Sequence, residues 1–377
     1  MKFIIEKNVL LDALINVSRA ISTRTTIPIL NGIKFDLKNE GLYLTATDSE
    51  LTIKIFIPEK EVKKIEQTGA IIIQSKYILD IIRKMPADVI NFEVINNNNI
   101  KISTPNNEYS LNCYDINDYP YINFDEGKEP ITIKANVLKD IINGTSYAIS
   151  NQEVRPLLTG LNLKISGNNL ECIATDSYRL AKMNITLDKI VENVVNIVIP
   201  GKSILEIEKI LTDEEDVVLH IFSNKLIINY KNIDIQTNLL SGTYPDTSYF
   251  IPNEFKYMIN LDLKLFSDAV DRATILAQNK DKNIVKMLIN NKEMVLSSIS
   301  NELGKTEEKL NIDCSNEEKI EISFSSKYML DALKVFKDNN LLILLNDDDK
   351  PILVKCVSDD CILGLILPKI FPGKYFF

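Results

Sequence analysis

Asn8-Val9-Leu10-Leu11-Asp12-Ala13-Leu14 recurs as Asn136-Val137-Leu138-Lys139-Asp140-Ile141-Ile142, and again as Lys264-Leu265-Phe266-Ser267-Asp268-Ala269-Val270. The offset is 128 residues both times (136 − 8 and 264 − 136). In the first copy Val9, Leu10, Ala13, Leu14, Val17, Ala20 and Ile21 form an apolar stripe, widened by Leu11 and Ile15. That spacing predicts an amphipathic helix. A second helical segment also recurs: Ser75-Lys76-Tyr77-Ile78-Leu79-Asp80, Gly201-Lys202-Ser203-Ile204-Leu205-Glu206 and Ser326-Lys327-Tyr328-Met329-Leu330-Asp331. Each copy follows a strand-like run, at 70–74, 195–199 and 320–324. The Ser or Gly beside each start, with an acid in the second turn, reads as helix-initiation chemistry.

Strands fill the intervals. Leu30-Asn31-Gly32 and Leu158-Thr159-Gly160 correspond, and sixteen residues after each glycine stands the aspartate of Ala46-Thr47-Asp48-Ser49 or Ala174-Thr175-Asp176-Ser177. The third copy is degenerate here, as Ser298-Ile299-Ser300-Asn301. The copies close alike at Tyr119-Pro120, Tyr244-Pro245 and Leu367-Pro368. The fold class expected is therefore α+β, with three similar domains at 1–126, 127–253 and 254–377, each of two helices and about eight strands. A period near 127 is too long for a solenoid unit and lets each copy carry its own core. Three like domains in series suggest a head-to-tail assembly that closes a ring.

Composition bounds the rest. Of 377 residues, 45% are hydrophobic and 25% charged, a globular profile. No uncharged apolar run is long enough for a membrane span, and charges interrupt Met1–Lys7, so no secretory leader is expected. The five cysteines lack CxxC spacing and read as buried free thiols of a reducing cytoplasm. The net charge of −9 requires that any DNA-facing positive charge be concentrated on one face. The second helices carry a local +2 at 76–84 and at 327–337 but balance to zero at 202–211. Such faces are also ordinary on soluble proteins.

Several motifs in this order are similar to the β sliding clamp family of bacterial DNA polymerase III, over nearly the whole chain. They are Met1-Lys2-Phe3, Arg24 to Leu30, Ala46-Thr47-Asp48, Val154-Arg155, Gly160, Ala174-Thr175-Asp176 with Arg179-Leu180, Tyr244-Pro245-Asp246, and Leu367-Pro368. The resemblance implies a non-catalytic clamp without cofactor or metal. It implies a homodimeric ring on double-stranded DNA, with helices lining the hole and sheets outside. The implied partners are DNA polymerase III α and other polymerases, the clamp loader and repair proteins bearing clamp-binding peptides, in the cytoplasm at the nucleoid. It further implies a peptide-binding pocket of Leu158, Thr175, Ser177, Tyr178, Arg179, Leu180, Pro245, Tyr249, Phe250, Leu365, Leu367 and Pro368, with Thr175 and Arg179 supplying the polar groups. Arg24, Gln152, Arg155 and Lys202 would touch DNA, and Tyr109 and Leu111 would meet Ile275 and Leu276 across the dimer interface.

The chain departs from the family in two places. Asn106 and Glu108 stand where a representative of the family has arginines beside an interface strand, which implies weaker or slower rather than abolished dimerisation. After Leu367-Pro368 runs the tail Lys369 to Phe377; its Tyr375, Phe376 and Phe377 are either a self-ligand for a pocket or a frayed end. Two other readings stay open. One is an accessory or mobile-element clamp. The other is a carboxylate-dependent enzyme using Asp48 and Asp176, against which Asp in strand-edge turns commonly bonds backbone. His220, the one histidine, sits in the strand-like run 217–222 and reads as structural. No Walker loop, HExxH or GxSxG occurs.

Overall fold

A computed structural model describes residues 1–22, 25–96, 98–127, 129–276, 283–300, 303–357 and 361–369. These residues form six α-helices: α1 (Lys7–Val17), α2 (Ser75–Lys84), α3 (Ala135–Thr145), α4 (Gly201–Ile210), α5 (Leu263–Thr274) and α6 (Ser326–Leu333). All six fall in the two repeated helical segments. α1 buries Leu10, Ala13, Leu14 and Val17, and α5 buries Phe266, Ala269, Val270 and Ala273. The apolar stripe is therefore the core-facing side.

The serines at the starts of α2 and α6 do not cap them. Gln74 and Ser325 occupy the N-cap positions without a side-chain bond, while Ser75 Oγ lies 3.1 Å from Ser18 Oγ and Ser326 Oγ donates to the Asn283 carbonyl. Each strand runs straight into its helix, so the serine enters the first turn and bonds sideways. α5 does have a side-chain cap, Asp262 accepting from the Leu265 amide at 2.8 Å.

Four sheets carry these helices, and the chain gathers into two compact units: residues 1–139 with 202–239, and residues 140–201 with 240–377. The first unit holds a five-stranded sheet that ends on Asn107–Asn112, and an eight-stranded sheet. Four strands of that larger sheet come from the first repeat and four from the second. Phe3, Phe35 and Phe92 stack in the core of this unit. The second unit holds a seven-stranded sheet, joining strands of the second and third repeats, and a four-stranded sheet that ends on Gly304–Asn311.

The seams between consecutive repeats copy one another bond for bond. In the eight-stranded sheet Ile233–Thr237 pairs antiparallel with Leu51–Ile55. In the seven-stranded sheet Ile362–Ile366 pairs with Arg179–Met183. The flanking bonds also match. Asn238 N donates to Glu50 O and Phe56 N to Asn232 O; correspondingly, Leu367 N donates to Tyr178 O and Asn184 N to Cys361 O. Backbone groups must find partners when buried, so this strand pairing makes each seam part of a continuous sheet.

The thiols are more varied than expected. Cys172 and Cys356 are buried, Cys113 and Cys314 are half-buried, and Cys361 is exposed at a turn before its strand. An apolar run shows that a residue lies in a strand, but not which way it faces. Burial pushes the Cys113 thiol up to about 11. His220 is structural, as expected: buried, its Nδ1 accepts the Gly127 amide at 2.9 Å. Among the described residues no helix is long and apolar enough to cross a membrane.

Candidate functional site

The turn Thr175–Arg179 organises the candidate site, and its atoms repeat those of the turn at Thr47. Ser177 N donates to Thr175 Oγ1 at 3.1 Å, and the Tyr178 and Arg179 amides donate to Asp176 Oδ1 at 2.9 and 3.0 Å. In the first repeat, Ser49 N donates to Thr47 Oγ1 at 3.1 Å, and the Glu50 and Leu51 amides to Asp48 Oδ1 at 3.0 and 2.8 Å. Ser49 and Ser177 both adopt left-handed backbone, at φ 80° and 75°. The threonine and aspartate satisfy the amides of a tight reversal that no longer belongs to the ladder. Both aspartates thus serve as turn acceptors, which removes the basis for reading them as a catalytic pair.

The two turns differ in their last two residues. Glu50 and Leu51 in the first become Tyr178 and Arg179 in the second, and Arg179 is buried. Its Nε meets Asp176 Oδ2 at 3.1 Å and its Nη1 meets Asp331 Oδ2, on α6, at 2.8 Å. The guanidinium also lies over the rings of Tyr328 and Tyr147, at 4.5 and 5.6 Å. Burial holds the Tyr147 hydroxyl well above its ordinary pKa. Tyr244, buried behind the turn, accepts the Thr175 amide on its hydroxyl at 3.1 Å.

In front of this turn lies a cleft of about 170 Å³. Leu158, Thr175, Ser177, Arg179, Leu180, Pro245, Phe250, Leu365 and Leu367 line it, nine of the twelve residues expected there. Its floor is continuous with a core cluster containing Leu158, Leu180, Tyr244, Leu344 and Leu365. Phe250 is 56% exposed at the lip. Tyr178, Tyr249 and Pro368 do not line the cavity: Tyr249 is 88% exposed, and the Tyr178 ring carries the Lys369 ammonium at 4.4 Å. Two lining residues were not anticipated, Arg155 and Thr247. Thr247 lies within the 245–250 loop that supplies two expected residues, so its position was available as a signal.

The polar character of the cleft differs from expectation. Thr175 Oγ1 donates to the Arg179 carbonyl at 2.6 Å, and two guanidinium nitrogens of Arg179 are held by carboxylates. Arg155 is instead exposed at the lip, with Nη1 3.2 Å from Ser177 Oγ. The cleft therefore offers apolar walls and one solvated guanidinium, a surface suited to an apolar side chain on an extended segment.

The remaining candidates are scattered. Gln152 and Lys202 are exposed; Arg24 lies outside the described residues, as does the 371–377 tail. Tyr109 (exposed) and Leu111 (half-buried) sit on the outer strand Asn107–Asn112, where Glu108 pairs with Lys101 at 2.7 Å. Ile275, 61% exposed, and Leu276 follow α5. No cluster able to hold a metal occurs among the described residues.

Comparison with known proteins gives one consistent picture. Residues 1–123, 132–246 and 249–370 match the family models of the N-terminal, central and C-terminal domains of the DNA polymerase III beta subunit. The chain is 39% identical over 374 residues to the beta sliding clamp of Bacillus subtilis, covering 98% of this chain and 99% of that one. It is 35% identical over 373 residues to that of Staphylococcus aureus, with the same coverage. The crystal structure of the Bacillus subtilis DNA polymerase sliding clamp superposes with a TM-score of 0.95 at 38% identity, covering 98% of this chain and 99% of that one. The DNA polymerase III beta chain of Streptococcus pneumoniae superposes with a TM-score of 0.94 at 31% identity, over 98% and 100%.

Proposed function

The chain belongs to the family of bacterial DNA polymerase III β subunits, the β sliding clamps, and from that premise we infer how its surfaces divide the work. It is a non-catalytic processivity factor of DNA replication, a homodimeric ring on duplex DNA that tethers the polymerase and other clamp-binding proteins. Its three domains are assigned to 1–126, 127–253 and 254–377, and its place to the cytoplasm, at the nucleoid.

The peptide site is the cleft between Leu158, Leu180, Pro245, Phe250, Leu365 and Leu367, with Thr175, Ser177, Tyr178, Arg179, Tyr249 and Pro368 around it. The observation that carries this reading is an open apolar cleft whose floor is already core. An aliphatic or aromatic anchor leaves water there without requiring the walls to be rebuilt. Arg155 faces the same lip, so it serves the peptide as well as the DNA-side role assigned to it with Arg24, Gln152 and Lys202.

Pseudo-symmetry supports the dimer assignment. Strand Gly304–Asn311 is the third-repeat counterpart of the strands that begin at Leu51 and Arg179; Asn107–Asn112 is the first-repeat counterpart of Ile233–Asn238. Both are outer strands of their sheets. Pairing them between two subunits would make a third seam like the two internal ones, bringing Tyr109 and Leu111 toward the partner's third repeat, with its Ile275 and Leu276.

The test uses a fluorescent peptide with one leucine and one phenylalanine anchor. Phe250→Ala and Leu367→Ala should each weaken its binding by about 1–2 kcal/mol, the scale of a truncated anchor contact, with dimer mass unchanged. Equal affinity for wild type and both variants would remove the cleft from the mechanism.

A further inference from the structure

The second helix of every repeat carries the same stripe: a lysine, an acid four residues on, and a cation three further. It reads Lys76, Asp80, Arg83 on α2; Lys202, Glu206, Lys209 on α4; and Lys327, Asp331 on α6 with Lys334 at its C-cap. Residues at i, i+4 and i+7 share one helix face. In all three the acid pairs with the cation that follows, at 3.8, 2.6 and 3.4 Å.

The acids differ in what else they hold. Asp331 is tied to buried Arg179, so its role is part of that packing. Asp80 is half-exposed and meets Arg83 only at long range. Glu206 is the distinctive one. Its Oε1 takes Lys209 Nζ at 2.6 Å, while its Oε2 takes Nη1 of Arg19, from the turn after α1, at 3.3 Å. Both cations keep part of their surface in solvent. Beside it, Glu208 holds Lys139 at 3.5 Å. The two acids that balance 202–211 to zero are thus also the ones that bind cations from outside the helix, Arg19 and Lys139.

We propose that Glu206 attenuates the DNA grip of α4 by holding Arg19 and Lys209 in ion pairs and away from phosphate. The inference rests on the reading that Lys202, on the same helix face, is a DNA-side residue. A ring retained by its closure gains nothing from strong phosphate contacts. Each cation engaged on duplex DNA adds about 0.9 to the slope of log affinity against log salt. Replacing the shared acid should therefore release up to two such contacts.

The experiment measures binding of the full-length dimer to a short labelled duplex by anisotropy across a salt series. Glu206→Gln keeps a hydrogen-bond acceptor for Arg19 but removes the charge. It should bind more tightly at low salt, with a slope steeper by about 1–2. Adding Lys209→Ala to that variant should return about one unit of slope, an effect that loss of structure would not produce. Lys202→Ala is the control for the underlying reading and should weaken binding. If Lys202→Ala weakens binding but Glu206→Gln leaves affinity and slope unchanged, the attenuation is wrong and the DNA-side reading stands. If neither variant changes binding, α4 does not face DNA and both fail.

Discussion

At the scale of single residues, Arg179 shows that a side chain's place can be legible while its partners are not. Its place beside the cleft was legible from Ala174-Thr175-Asp176 followed by Arg179-Leu180. Its engagement by carboxylates was not, because that depends on Asp331, 152 residues away in sequence. One-dimensional spacing cannot show that a cation is already neutralised. Removing it should be costly: Arg179→Ala leaves the Asp176 carboxylate, 14% exposed, without its cation and the Asp331 carboxylate, 24% exposed, with Lys334 alone. A loss of about 3 kcal/mol is expected, toward the low end for a broken buried pair because both acids keep some solvent. Urea unfolding would show it as a lower midpoint at unchanged slope. An equally stable variant would mean that water fully replaces the guanidinium.

At the scale of elements, the helices were the most legible part, since a 3.6-residue apolar period leaves few alternatives. Their starts were not, because a serine in a strand-to-helix junction looks the same whether it caps or bonds sideways. The connection after α4 was not anticipated at all. There Asp213 accepts the Tyr230 hydroxyl at 2.7 Å and pairs with the Lys231 ammonium, fastening the end of the helix to the turn between strands Lys225–Tyr230 and Ile233–Asn238. Lys231 first, then Tyr230, depress the Asp213 carboxyl from 3.8 to about 2. The folded value lies below the unfolded one, so this fastening contributes fully above the ordinary carboxylate range and is lost as pH falls toward 2. Asp213→Asn should therefore make the acid limb of thermal stability shallower between about pH 4 and pH 2. Parallel melting curves for the two proteins over that range would count against the fastening.

At the scale of the whole molecule, three-domain organisation was readable because 128-residue offsets survive sequence drift. The seams were not, because strand pairing between repeats leaves no local signature. The expectation for the dimer follows from those seams. Leu111 lies half-buried on an outer strand, and a carboxylate there would be desolvated if a partner strand docks. Leu111→Asp should shift sedimentation to the 42.8 kDa monomer while leaving peptide binding intact. A variant that remains twice that mass would move the interface elsewhere. Mechanically, the seams within a chain and the proposed joint between subunits are of two kinds. Each internal joint is a ladder of five residue pairs flanked by further backbone bonds, within a single chain. Parting either of them would break that ladder. Only the joint between subunits can part without breaking a sheet that one chain built for itself, so it is the natural clasp.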